Sequence, residues 1–117
     1  MSGKIAIVIQ SGWDQESKVL SGMNVAKRIF DAKAENQIDA VEVFLFTGGV
    51  KLLESVPAEV DYMLDTFKEV EFKVGACSSQ VNQWGLQDSA DRYGVQLEFA
   101  RDAFSRYARE GYTVMTF

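Results

Sequence analysis

Strand-like segments alternate with helix-like ones along a single short chain, which predicts a layered α/β fold with a mainly parallel sheet of five strands. Three observations carry that prediction. Lys4 to Gln10 (Lys-Ile-Ala-Ile-Val-Ile-Gln) is a nearly continuous β-branched run, as expected of a parallel strand covered on both faces. Directly after it, apolar residues recur three or four apart, the period of an amphipathic helix. The chain has 117 residues, 47% of them hydrophobic, enough for one domain over residues 1–117 and too short for two. Size scaling gives a folded surface of about 6,400 Å² and burial of roughly two-thirds of the unfolded surface, so a core can form without disulfides.

The elements follow in order. The first strand stops at Ser11-Gly12-Trp13-Asp14, a turn cluster in which Asp14 is placed to N-cap the next helix. That helix runs from Gln15 to about Ala34. Val19, Leu20, Met23, Ala26, Ile29 and Phe30 form its apolar face, and Lys27, Arg28 and Lys33 lie where the helix dipole favours cations. Ala40 to Phe46 is the second strand, closed by Thr47-Gly48-Gly49 and followed by a short helix from Val50 to Glu54. Pro57, the only proline, suits the first turn of a helix striped by Val60, Met63, Leu64 and Phe67. Phe72 to Cys77 alternates as a third strand. A helical or irregular stretch from Ser78 to Tyr93 breaks at Gly85, Val95 to Phe99 is a fourth strand, and Asp102 to Arg109 a helix. Glu110-Gly111 turns the chain into a last strand, Tyr112 to Phe117.

Composition excludes several kinds of chemistry. Seventeen Asp and Glu against twelve Lys and Arg leave a net charge of −5, the opposite of the bias by which proteins grip nucleic acid. With no histidine, the Ser-His-Asp and Cys-His pairings and most zinc sites are ruled out, and no cluster of other ligands suggests a metal or a cofactor. With one cysteine, Cys77, there is neither an internal disulfide nor a resolving pair. The longest aliphatic run, Ile5 to Ile9, falls far short of the ~20 residues of a membrane helix. No export signal precedes it, so the expected location is cytoplasmic.

In a parallel sheet the working groups gather beyond the C-terminal ends of the strands. Three segments are expected there: Ser11 to Asp14, Thr47 to Gly49 and Cys77 to Gln80. Cys77 is either a small buried hydrophobe or a reactive thiolate, its pKa lowered by the N–H groups of a following helix with Ser78 and Ser79 as further donors. Gly48 and Gly49 either cradle an anion or serve a tight turn of positive φ. Trp13 and Trp84 either wall a pocket or fill core. Asp61 with Asp65 reads as a solvated helix face, and Arg101, Arg106 and Arg109 as a mixed surface.

Four segments together carry a likeness that extends over nearly the whole chain. They are Lys4 to Gln10, Val43-Phe44-Leu45-Phe46-Thr47-Gly48-Gly49-Val50, Phe72-Lys73-Val74-Gly75-Ala76-Cys77-Ser78-Ser79, and Glu110-Gly111-Tyr112-Thr113-Val114. In order and spacing the sequence resembles the DsrE/DsrF-like (YchN/TusD-like) sulfur-relay family. The resemblance implies a three-layer α/β/α sandwich assembling as homo-oligomeric trimers or hexamers. It also implies a persulfide on Cys77, received from a sulfur-donor protein and passed to an acceptor protein by thiol–persulfide exchange. The Ser78 and Ser79 backbone would stabilise the charged sulfur. Ser11, Gly12, Trp13, Thr47, Gly48 and Gly49 would shape the pocket. Two other readings stand beside this one: a non-catalytic oligomeric scaffold of the same fold, and a small-ligand or nucleotide-binding domain built on the glycine turn.

Overall fold

In the computed structural model, which describes residues 2–117, five strands form one sheet. They are β1 (Gly3–Ile9), β2 (Ile38–Leu45), β3 (Val74–Cys77), β4 (Gln96–Glu98) and β5 (Thr113–Thr116). Their order is β4-β3-β2-β1-β5, and every neighbouring pair is parallel. The connecting helices are α1 (Glu16–Asp31), α2 (Lys33–Asn36), α3 (Gly48–Lys51), α4 (Ala58–Glu69), α5 (Ser78–Gln83), α6 (Gln87–Arg92) and α7 (Ala100–Glu110).

The strand order decides which face each helix covers. From β1 to β4 every connection steps across the sheet in one direction, so right-handed crossovers place α1, α4, α5 and α6 on one face. The last connection returns past β1, which sends α7 alone to the other face. Side-chain parity agrees. A Cβ on Gly22 of α1 would meet the Ile9 side chain, so Ile9 and its register partner Leu45 point into the crowded layer. Ala6, Val8, Glu42 and Phe44 point the other way, and the Phe44 ring meets Phe104 of α7 at 5.7 Å.

The total surface is 6292 Å², close to the size-scaling expectation. Ile7, Ile9, Met23, Leu45, Leu52, Leu64 and Phe67 are all but fully buried within one continuous core. Among the described residues no helix is long and apolar enough to cross a membrane.

Several boundaries differ from the sequence expectation for local reasons. Asp14 does not cap α1: it lies inside a 3₁₀ turn, Trp13–Gln15, closed by the Gln15 N–H on the Gly12 carbonyl at 3.0 Å. Gln15 occupies the cap position, with no side-chain hydrogen bond. The helix also ends at Asp31, and the separate turn of α2 is stopped by Gln37 in the left-handed region, φ 58°. The third strand starts at Val74 because the Phe72 N–H still bonds back to Phe67 at the end of α4, at 2.8 Å.

Candidate functional site

Because all strands are parallel, the loops after β1, β2 and β3 lie on one edge of the sheet, and they touch there. The backbones of Gly12 and Gly48 are in contact: a Cβ on Gly12 would lie 3.1 Å from the Gly48 carbonyl oxygen. A Cβ on Gly48 would run into the Gln10 carbonyl, and one on Gly49 into that of Ile9. Neither Gly48 nor Gly49 has positive φ, so the requirement is close approach of main chains and not a left-handed turn. The positive φ falls on Thr47 instead, at 51°. Thr47 also joins the third segment, its N–H donating to Oε1 of Gln80 on α5 at 2.8 Å.

Two separate cavities open on this edge. One, of about 480 Å³, lies over the ends of β1 and β5 and includes Ser11, Gly12, Lys18, Gly48 and Phe117 in its lining. The other, of about 370 Å³, is lined by Cys77, Ser79, Phe99, Ala100 and Arg101. The structure therefore brings Ser79 to Cys77 and sets Ser11, Gly12 and Gly48 around the neighbouring cavity. Ser78, Thr47 and Gly49 line neither. Trp13 lies at the surface, its indole N–H donating to the Ser55 carbonyl at 2.9 Å. Trp84 is half-buried beneath Lys51, whose ammonium sits 4.5 Å from the ring centroid.

Cys77 is the last residue of β3 and the N-cap position of α5. It is 4% exposed, and its share of surface faces the smaller cavity. The cation at that cavity is Arg101, which is distant in sequence. Its guanidinium is largely exposed and, among the described residues, pairs only with the neighbouring Asp102 carboxylate, at 3.1 Å. Of the cations near Cys77 in sequence, Arg92 pairs with Asp61 at 3.6 Å. Lys73 lies within 3.8 Å of Glu42 and 3.9 Å of Glu98.

Arg106 corrects the reading of a mixed surface on the last helix. Its side chain is largely buried against the sheet, Nη2 donating to Glu42 Oε1 at 2.6 Å and to Glu98 Oε1 at 3.1 Å. Nε donates to Glu98 Oε2 at 3.2 Å, and the Tyr107 hydroxyl to Glu42 at 2.9 Å. Asp61 also departs from the solvated reading, since the Tyr93 hydroxyl donates to it. Glu98 is the register partner of Cys77 across β3 and β4. A carboxylate stands beside the thiol, and Arg106 and Lys73 hold its charge. The sequence held one signal for this network: Glu42 interrupts an otherwise apolar strand, and a buried charge requires partners.

These contacts shift the titrations of the groups involved. Hydrogen bonds to Glu42 and then Glu98 hold the Arg106 guanidinium proton more tightly than usual. Burial, then the Glu42 charge, pushes the Tyr107 and Tyr112 hydroxyls upward. Burial and the hydrogen bond to Asp61 raise Tyr93 to about 12. Among the described residues no group of three or more His, Cys, Asp or Glu could hold a metal ion. The chemistry the arrangement offers at the smaller cavity is that of one sheltered thiol in a space that Arg101 also lines.

No family model and no curated protein matches the chain. Solved structures do. A conserved protein of unknown function from Bacteroides thetaiotaomicron superposes with a TM-score of 0.76 at 15% identity, covering 97% of this chain and 94% of its own. The YchN protein of E. coli superposes at 0.68 with 16% identity over the full length of both chains. A protein of unknown function from Methanobacterium thermoautotrophicum gives 0.65 at 17% identity, covering 99% of this chain and 100% of its own. At these identities the likeness shows a shared YchN-like α/β fold.

Proposed function

We propose that the chain is a sulfur carrier in which Cys77 accepts a sulfane sulfur and passes it on. The observation that carries this reading is the placement of the only cysteine. Cys77 stands at the C-terminal end of a central parallel strand, on the floor of an open cavity of about 370 Å³ rimmed by Arg101. In loading, the Cys77 thiolate attacks the outer sulfur of a donor persulfide. A new S–S bond forms, the donor's S–S bond breaks, and the donor leaves as a thiolate with the bond's electron pair. In unloading, an acceptor thiolate attacks the outer sulfur on Cys77 in the same way and Cys77 leaves as the thiolate. Neither step needs an external oxidant. With no second cysteine in the chain, unloading must be to another molecule.

The surroundings suit those steps. A nearly buried sulfur limits attack on a persulfide by bulky molecules, while the cavity admits a small attacking thiol. Arg101, at the rim of the same cavity, is placed to attract an anionic attacking sulfur. The pairing of Glu98 with Arg106 and Lys73 limits the repulsion that a carboxylate on the adjacent strand would exert on a thiolate.

Native-state alkylation tests the access this requires. In the folded chain, a small reagent is expected to label Cys77 far faster than the chain unfolds globally. Labelling only at the global unfolding rate, with Cys77 inert in the native state, would contradict the proposal and favour the scaffold reading.

A further inference from the structure

We infer that the sulfur taken up by Cys77 arrives on a small persulfide that bears a carboxylate, and that Arg101 holds the carboxylate. The inference rests on the sulfur-carrier reading and names the class of donor. Charge sets the cavity at Cys77 apart from its neighbours. The chain has a net charge of −5, and four other cavities each include an acidic side chain in their linings: Asp14 in one, Asp61 in two more and Asp91 in the fourth. The cavity at Cys77 has none. The one charged residue among Cys77, Ser79, Phe99, Ala100 and Arg101 is the arginine.

The thiol and the cation share one face of the sheet. Gly75 pairs with Phe44, whose ring meets α7, so Cys77, two positions on, points toward that helix as well. The Cys77 side chain is 4% exposed, lines the cavity and makes no capping hydrogen bond. The Arg101 guanidinium, among the described residues, spends only its Nε donor, on the Asp102 carboxylate at 3.1 Å. Its Nη groups remain for a second carboxylate, whose two oxygens match their planar fork. Ala100 and Arg101 also begin α7, and the first N–H groups to bond back are those of Asp102 and Ala103, on the Phe99 carbonyl at 2.9 Å. The two earlier N–H groups stand outside the ladder, at the helix end that favours anions.

Size limits the donor. The cavity of about 370 Å³ has room for roughly a dozen waters at ~30 Å³ each, and so for a ligand of amino-acid size. The half-exposed ring of Phe99 lines it for the carbon chain. In the step, the Cys77 thiolate bonds to the outer sulfur of the donor. The donor's S–S bond breaks, and its electron pair leaves on the donor thiolate. The carboxylate holds the donor and takes no part in the bond changes.

Small disulfides are stable stand-ins for the donor, because the same thiolate attack opens them to a mixed disulfide. The test compares dithiodiglycolate (anionic), 2-hydroxyethyl disulfide (neutral), cystamine (cationic) and the disulfide of an acidic cysteine-containing peptide too large for the cavity. Rates are read as mixed-disulfide mass on the intact chain, for wild type and Arg101→Ala, each relative to the same chain unfolded in urea. Dithiodiglycolate is expected to react about fivefold or more faster than the neutral reagent, and Arg101→Ala to abolish that preference. Native reaction with no preference for the small anion overturns the inference and leaves the carrier reading standing. So does a preference that Arg101→Ala leaves unchanged, or a peptide disulfide that reacts as fast as dithiodiglycolate. A native Cys77 inert to all four reagents, yet reactive in urea, overturns both.

Discussion

The two cavities on the C-terminal edge of the sheet lie a few strands apart and are built in opposite ways. At the ends of β1 and β2 the space is set by main chain against main chain: Gly12 on Gly48, Gly49 on Ile9. At the end of β3 it is set by side chains that leave a thiol at the bottom and a cation at the rim. The first region is intolerant of a single added carbon. The second can change its side chains with little effect on the fold. This difference separates residues that hold the architecture from those free to serve a site on it, although both groups sit at the C-terminal ends of strands.

Substitutions break or sharpen that contrast. The largest stability effect is expected for Gly49→Ala, whose Cβ would overlap the Ile9 carbonyl. The loss is about 3 kcal/mol or more, read from the denaturant midpoint. An unchanged midpoint would mean that the two loops separate easily. Next is Arg106→Met, which leaves the Glu42 carboxylate, 5% exposed, with only Lys73 and the Tyr107 hydroxyl beside it. A loss of about 3 kcal/mol is expected, because a buried charge has lost its main partner.

A smaller effect is shared among tyrosines. In the unfolded chain they ionise near pH 10, whereas the fold raises Tyr93 to about 12 and raises Tyr107 and Tyr112 as well. Their contribution is complete below about pH 10 and is lost as pH climbs through the folded values. In a Tyr62→Phe chain, tyrosinate absorbance should therefore rise together with loss of circular dichroism. Full ionisation near pH 10 with the fold intact would contradict the assignment.

Arg101→Ala is expected to change stability by no more than about 0.5 kcal/mol. It should nonetheless slow Cys77 alkylation by anionic iodoacetate about fivefold relative to neutral iodoacetamide, the worth of one exposed charge at short range. Equal effects on both reagents would assign Arg101 a steric role.

The strands and their order of appearance were legible because β-branched runs such as Ile5 to Ile9 bury on both faces and mark themselves in composition. The edge that gathers the three loops followed from parallel topology alone. Helix ends were harder to read: Asp14 has the chemistry of a cap, yet the close packing of Gly12 on Gly48 draws it into a 3₁₀ turn. The cation that shares a cavity with Cys77 was not legible. Arg101 follows β4, twenty-four positions along the chain, and reaches the cavity only because β4 pairs with β3. Arg106 reads as surface because it lies among the charged residues Arg101, Asp102, Arg109 and Glu110, while the turn of α7 points it inward to Glu42.

Whether Cys77 carries sulfur is decided by intact mass. The folded chain and its Cys77→Ser variant are incubated with a cysteine desulfurase and cysteine, weighed, and weighed again after dithiothreitol. The wild-type chain alone is expected to gain one sulfur atom, which the reductant removes. The reductant step separates a persulfide from sulfinic acid, which has nearly the same added mass and resists it. No gain on a natively inert Cys77, or an equal reducible gain on the serine variant, would contradict it.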